Sequence, residues 1–109
     1  MKIETKRPFL KSENYEVHMK EKIRKEIRFS GDVQGVGFRY RAQHAAQSLG
    51  VTGWVHNEWD GSVLMQAQGT EEEIVEMIRL ISMSLYIGIK DISYKIIEVD
   101  EAERGFHIR

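Results

Sequence analysis

Along this chain the spacing of apolar residues switches between the two-residue repeat of strands and the repeat of helices. The order of these switches limits which folds the chain can adopt. Apolar residues alternate in four main segments, as they do in strands with one buried face, and they recur at helical spacing in two others. The helical segments are 38–49 and the stretch that begins at Thr70. The predicted strands are 23–30, 52–58, 62–68 and 92–99, and a short closing strand is predicted around 105–108.

The resulting order, β-α-β-β-α-β, is that of the split β-α-β or ferredoxin-like plan, an α+β fold. It predicts an antiparallel four-stranded sheet in the order 4-1-3-2, with both helices on one face and a short C-terminal fifth strand. Gly50 is suited to end the first helix, and Thr70 with Glu73 predicts a capping box at the start of the second. The buried stripe of the second helix is predicted to comprise Ile74, Met77, Ile78, Ile81 and Leu85.

Three glycines separate the first predicted strand from the first helix, in the segment Gly31-Asp32-Val33-Gln34-Gly35-Val36-Gly37-Phe38-Arg39. Glycine lets backbone N–H groups turn toward an anion, and a helix start adds unpaired N–H groups and the positive end of its dipole. Arg39 and Arg41 both lie in the first helical turn, and the helical wheel does not distinguish between them. The segment therefore predicts a phosphate site with an arginine as its cationic partner.

The glycine spacing of this segment differs from that of nucleotide-binding loops. A P-loop requires Gly-x-x-x-x-Gly-Lys-Ser/Thr, and a dinucleotide fingerprint requires Gly-x-Gly-x-x-Gly. No Lys-Ser/Thr pair follows these glycines, and so no hydroxyl is provided for Mg²⁺. The histidines show no metal-ligand spacing either. No metal and no cofactor are predicted.

Asn57 is predicted to lie beside the glycine segment. In the 4-1-3-2 order the first and second strands run parallel, two strand spacings or about 10 Å apart, so their C-terminal ends share one edge of the sheet. The glycine segment leaves one of these ends, and Asn57 lies near the other. An amide side chain does not titrate, but it donates and accepts hydrogen bonds and is thus suited to position a water molecule.

The length of 109 residues suits one compact domain, with residues 1–22 as an N-terminal arm and 23–109 as the domain. Residues 29–109 carry seven Lys and Arg against twelve Asp and Glu, a net charge of −5, which disfavours long-range attraction of nucleic acid. The chain has no cysteine and no apolar stretch near the ~20 residues that span a bilayer. A cytoplasmic protein without nucleic-acid or membrane partners is predicted.

The motifs resemble those of the acylphosphatase family over residues 23–109. The segment 31–39 is similar to the family's first signature. Gly53-Trp54-Val55-His56-Asn57, followed by Asp60-Gly61-Ser62-Val63 and Gly69, is similar to the second, and Gly105-Phe106-His107-Ile108 matches the closing strand. The family usually has a Gly-Pro turn after the second helix. The segment 85–89 has no proline here, and its apolar character predicts burial or a partner surface.

The resemblance implies a metal-independent hydrolase that splits a small-molecule acyl phosphate into a carboxylate and inorganic phosphate. It assigns phosphate binding to Arg39 rather than Arg41, and orientation of the attacking water to Asn57; these are the two expected catalytic residues. The rest of the phosphate site is expected to comprise Gln34, Gly35, Val36, Gly37 and Phe38. Inorganic phosphate or sulfate is expected to occupy the same loop, and the protein is expected to be a monomer.

The same topology is compatible with two other functions. A binding or regulatory module would keep the phosphate site without turnover; the presence of both Arg39 and Asn57 argues against it, whereas the N-terminal arm and the 85–89 segment leave room for it. An RNA-binding domain would need stacking aromatic residues on its central strands, and the third predicted strand, 62–68, has none. Acyl phosphate hydrolysis is the predicted function, with the non-catalytic module as the alternative.

Overall fold

A five-stranded sheet covered by two helices makes up residues 21–109, the part of the chain that the computed structural model describes. The helices are α1 (Phe38–Leu49) and α2 (Glu71–Ser82), and the strands are β1 (Lys22–Asp32), β2 (Thr52–Asn57), β3 (Val63–Thr70), β4 (Gly88–Ile97) and β5 (Phe106–Ile108). The strands lie in the order β4-β1-β3-β2-β5, which confirms the ferredoxin-like plan. The N-terminal arm lies outside the described residues except for its last two and stays a prediction.

The ends of both helices follow from their sequences. α1 begins after Gly37 and ends at Gly50, whose φ of 75° lies in the left-handed region that glycine favours. At the start of α2 the Thr70 hydroxyl accepts a hydrogen bond from the Glu73 N–H, and the Glu73 carboxylate accepts one from the Thr70 N–H. The predicted capping box is therefore confirmed, and it fixes where α2 leaves β3.

The hydrophobic core lies between the sheet and the two helices. Its central side chains are 0–1 % exposed and come from β1, α1, β2, β3 and α2: Ile27, Phe29, Ala42, Ala46, Val55, Val63, Met65, Ile74, Met77 and Ile81. The rings of Phe29 and Phe38 lie 4.9 Å apart between centroids. This contact packs the first turn of α1 against the end of β1, so the segment between them is held close to the sheet.

The helix α2 ends earlier than its apolar pattern predicts. It stops at Ser82, and Leu85 is 97 % exposed, so the prediction that Leu85 continues the buried stripe is wrong. A turn follows in which the Ser84 hydroxyl accepts a hydrogen bond from the Tyr86 N–H. This turn directs Ile87, rather than Leu85, into the core, and β4 then starts at Gly88, four residues before the predicted Ile92.

A buried polar cluster on the sheet attaches the chain before β5 to β1 and β3. Arg24 is 4 % exposed, and its guanidinium donates to both carboxylate oxygens of Glu103 at 2.6 and 2.9 Å. Gln66 and Gln68 accept its remaining hydrogen bonds. Burial acts to raise the pKa of Glu103, but hydrogen bonds from Arg24 and Thr52, together with the charge of Arg24, lower that pKa below its ordinary value.

We expect Glu103→Ala to lower the free energy of unfolding by about 3 kcal/mol, because it leaves the buried Arg24 without its ionic partner. The matched control is Glu101→Ala. Glu101 pairs with Lys22 at 3.4 Å on the surface, and its loss is expected to cost less than about 1 kcal/mol. Urea unfolding at pH 7 measures both variants, and equal losses would contradict the role given to Glu103.

The same pair predicts a pH dependence. The pKa of Glu103 is lowered in the folded state, so its contribution to stability is fully present above the ordinary carboxyl pKa of about 4.3. That contribution is lost as the pH falls through the lowered folded-state value. The stability difference between the wild type and Glu103→Ala should therefore shrink in acid, and repeating the urea series at several pH values measures it.

Candidate active site

The glycine loop, defined as residues 33–37, and the first turn of α1 form one wall of a pocket. Gly35 and Gly37 have φ angles of 73° and 83°, which side chains other than glycine rarely adopt. Gly37 precedes α1 and has no side chain to cap it, and the first turn of α1 contains no acidic residue. The N–H groups at this helix start therefore have no side-chain cap, and groups of this kind are suited to bind an anion.

The pocket next to this loop has a volume of about 200 Å³. It brings together Arg39 and Asn57, which are 18 positions apart in the sequence. The full set of residues that line it is Val33, Gly35, Gly37, Phe38, Arg39, Tyr40, Asn57 and Ile108. The sequence-based expectation that the loop, the arginine and the asparagine lie near one another is thus met by the geometry.

Strand register explains why Asn57 reaches the pocket. Phe29 of β1 pairs with Val63 of β3, and Val63 pairs in turn with Asn57 of β2. Residues directly opposite one another across a sheet point to the same face, and Phe29 and Val63 are fully buried on the helix side. Asn57 therefore also points toward the helix side, beside the start of α1.

The two arginines of the first helical turn have different surroundings. The Arg41 Nε donates to the backbone carbonyl of Leu80 at 2.8 Å and so links α1 to α2. Arg39 lines the pocket and, among the described residues 21–109, has no hydrogen bond or ion pair. A partly exposed guanidinium with all its donors available is suited to bind a phosphate group in bidentate fashion.

The Asn57 side chain carries a polar atom that lacks a partner. Its Oδ1 is buried and accepts no hydrogen bond from any described residue. A buried acceptor without a donor costs free energy, and such groups in native proteins call for an explanation. A water molecule in the pocket would satisfy this oxygen, because water donates hydrogen bonds.

Two of the residues predicted to bind phosphate do not line the pocket. The Gln34 amide donates to the carbonyls of Glu58 and Ser62 at 2.6 and 2.8 Å, and Val36 packs against the core. The Gln34 side chain thus holds the glycine loop against the β2–β3 turn, and the Val36 side chain attaches the loop to the core. A contribution of Gln34 and Val36 to phosphate binding stays a prediction and would come from their backbone.

The β2–β3 turn that receives Gln34 is itself fixed by local polar contacts. Hydrogen bonds from the hydroxyl and the backbone N–H of Ser62 hold the pKa of Asp60 below its ordinary value. The Glu58 carboxylate lies 2.7 Å from the His56 ring and 3.9 Å from Arg28. His56 is exposed and alternates with Asn57 along β2, so it points away from the pocket.

Sequence reasoning did not place Tyr40 and Ile108 in the pocket. Ile108 reaches it because β5 pairs in parallel with β2, with Ile108 opposite Val55. The signals available in the sequence were the position of Tyr40 directly after Arg39 and the two-residue spacing between Phe106 and Ile108, which places both on one side of a strand. The first is a weak signal, and the second indicates that Ile108 is a pocket residue only once β5 is known to pair with β2.

The residues that line the pocket limit its chemistry. They include one charged group, Arg39, and one amide, Asn57, and they include no carboxylate and no imidazole. Within residues 21–109 there is no cluster of three or more His, Asp or Glu side chains arranged to hold a metal ion. The pocket is suited to bind an anion and to orient a neutral nucleophile.

No helix within residues 21–109 is long and apolar enough to cross a membrane.

The pocket lies in a small α+β domain of the ferredoxin-like plan, between a glycine loop and an asparagine at a strand end. A family model described as acylphosphatase matches residues 25–108. The chain is 36% identical over 93 residues to an acylphosphatase of Bifidobacterium longum, covering 80% of this chain and 92% of that protein. It is 34% identical over 86 residues to an acylphosphatase of Oceanobacillus iheyensis, covering 77% of this chain and 94% of that protein.

Solved structures show the same similarity. The crystal structure of acylphosphatase from Bacillus subtilis superposes with a TM-score of 0.73 at 33% sequence identity, covering 80% of this chain and 98% of that one. The chain therefore belongs to the acylphosphatase family. Its activity in general terms is hydrolysis of acyl phosphates.

Proposed function

We propose that this chain hydrolyses acyl phosphates in the pocket at the start of α1, with Arg39 binding the phosphoryl group and Asn57 orienting the attacking water. The observation that carries the proposal is that one pocket contains both the Arg39 guanidinium, which has no hydrogen bond or ion pair within residues 21–109, and the buried Asn57 Oδ1, which accepts no hydrogen bond from those residues. The backbone N–H groups of residues 35–38 complete the phosphate site.

The proposed reaction needs little more than positioning and charge stabilisation. Water, which donates a hydrogen bond to Asn57 Oδ1, attacks phosphorus from the side opposite the carboxylate leaving group. A bond forms between the water oxygen and phosphorus, and the bond from phosphorus to the carboxylate oxygen breaks, with its electron pair leaving on the carboxylate. Arg39 and the loop N–H groups stabilise the negative charge on the phosphoryl oxygens.

We infer that a phosphoryl oxygen of the substrate takes the proton of the attacking water. The motivation is that no residue lining the pocket is a carboxylate or an imidazole, and that a carboxylate leaving group is weakly basic and needs little acid catalysis. We expect kcat to be flat near neutral pH. A pH–rate profile in which an enzyme group with a pKa near 7 controls kcat would contradict this inference.

The test of the proposed function is an assay of the purified chain with benzoyl phosphate in the presence of EDTA. We expect release of benzoate and inorganic phosphate at the same rate with and without EDTA, because Arg39 and the loop are proposed to do the work of a metal. Turnover that EDTA abolishes and Mg²⁺ restores would contradict metal independence. No turnover by a folded sample would contradict the proposed function.

A binding measurement on the same purified chain distinguishes the proposed hydrolase from the alternative, a non-catalytic phosphate-binding or regulatory module. Calorimetric titration with inorganic phosphate measures binding apart from turnover. Phosphate binding without hydrolysis of benzoyl phosphate would favour the module.

We propose a small-molecule acyl phosphate as substrate, a monomeric state, and a cytoplasmic location without nucleic-acid partners. Size-exclusion chromatography with light scattering tests the monomeric state.

A further inference from the structure

We propose that Tyr40 and Ile108 form a subsite for the acyl group, which makes this chain prefer acyl phosphates with an aromatic acyl group over acetyl phosphate. The inference rests on the proposed function, because it concerns the part of the same substrate that lies outside the phosphate loop. Neither residue belongs to the phosphate-binding or water-positioning group, and both line the pocket.

Tyr40 is a large aromatic residue whose side chain is not part of the hydrophobic core. It is 65 % exposed, and its hydroxyl makes no hydrogen bond to another residue in the described part of the chain. Its ring lies 4.4 Å from that of His44, one helical turn further along α1, at an interplanar angle of 47°. This contact restricts the Tyr40 ring, so less conformational entropy would be lost when a ligand packs against it.

Ile108 provides an apolar surface from a different element. Phe106, two residues earlier on β5, is buried, and its carbonyl accepts a hydrogen bond from the Gln43 amide of α1 at 3.1 Å. Successive side chains alternate along a strand, so Ile108 lies on the same side as Phe106. Ile108 is 40 % exposed at the position of β5 that lines the pocket.

Different residues of the pocket would contact the two ends of a substrate. Arg39 and the loop N–H groups would hold the phosphoryl end, and the acyl group then has to extend away from them. Tyr40 and Ile108 carry the large apolar side chains of the pocket that are substantially exposed. A flat aromatic acyl group would bury apolar surface against both of them, whereas the single methyl group of acetyl phosphate would bury little.

The experiment compares kcat/KM for benzoyl phosphate and acetyl phosphate in the wild type, Tyr40→Ala, Ile108→Ala and Tyr40→Phe. We expect Tyr40→Ala and Ile108→Ala each to lower the benzoyl-to-acetyl ratio by about five- to tenfold. We expect kcat/KM for acetyl phosphate to stay within about twofold, which also shows that the variants fold. Tyr40→Phe should keep the wild-type ratio, because the proposed contact uses the ring.

Trp59→Ala is the matched control, since Trp59 is an aromatic residue that is 97 % exposed and does not line the pocket; its ratio should equal that of the wild type. A ratio unchanged in both Tyr40→Ala and Ile108→Ala, with turnover intact, would overturn the acyl subsite and leave the proposed function standing. Absence of turnover by the folded wild type on both compounds would overturn the acyl subsite and the proposed function together.

A second measurement does not depend on the folding of any variant. Inhibition of the wild-type chain by benzylphosphonate and by methylphosphonate compares two non-hydrolysable ligands that differ in their organic group. We expect benzylphosphonate to bind about tenfold more tightly, for the same reason of apolar contact. Equal inhibition constants would overturn the subsite.

Discussion

Replacement of Arg39 by alanine is expected to lower kcat/KM for an acyl phosphate by about 10³-fold or more, and to remove competitive inhibition by inorganic phosphate. Arginines that stabilise a transferring phosphoryl group contribute factors of this size. Arg39 is the charged residue among those that line the pocket, so no neighbouring pocket side chain compensates for its loss. Steady-state kinetics with benzoyl phosphate, with and without added phosphate, measure both effects.

The neighbouring arginine provides the matched control. Arg41→Ala removes the same charge from the same helical turn, but the Arg41 Nε binds the carbonyl of Leu80 at 2.8 Å. We expect this variant to lose stability through the α1–α2 contact while it keeps phosphate inhibition within about threefold. Arg39→Lys should recover only part of the activity, since an ammonium group lacks the planar fork of donors. If Arg41→Ala had the larger effect on phosphate inhibition, the assignment of Arg39 would be wrong.

Replacement of Asn57 by alanine is expected to have the opposite signature, with a kcat about 10²- to 10³-fold lower and a phosphate inhibition constant within about twofold of the wild type. Loss of one positioned polar group that acts on the transition state costs a factor of this order. The phosphate site itself would remain, because it is proposed to consist of Arg39 and the loop N–H groups. Steady-state kinetics measure kcat, and calorimetric titration with phosphate measures the affinity for phosphate separately.

His56→Ala serves as the control for Asn57→Ala. His56 is the adjacent residue of the same strand, but it is exposed on the other face of the sheet and pairs with Glu58. We expect it to keep kcat within about twofold. A loss of phosphate affinity in Asn57→Ala as large as its loss of kcat would show that Asn57 binds phosphate rather than orients water.

The fold was predictable from the sequence because local signals agreed with one another. The alternation in β1 and β3, the glycine at the end of α1 and the capping box of Thr70 each predicted the structure that is observed. The error at Leu85 has a local cause. Helical spacing continues from Ile81 to Leu85, but the Ser84 turn ends the helix first, and a turn of this kind has no strong sequence pattern.

The candidate site was predictable where topology alone decides the geometry. The strand order was enough to bring Asn57 beside the glycine loop. The difference between Arg39 and Arg41 depends on a contact with Leu80 in another helix, and the helical wheel contains no such information. The positions of Gln34 and Ile108 also depend on tertiary pairing, since the first binds the β2–β3 turn and the second belongs to a three-residue strand.

The most direct test of the central proposal is hydrolysis of benzoyl phosphate by the wild type and Asn57→Ala in one assay with EDTA, at equal concentrations of folded protein. The predicted result is steady release of phosphate by the wild type and about 1% of that rate or less from Asn57→Ala. An Asn57→Ala variant as active as the wild type would contradict the water-positioning role.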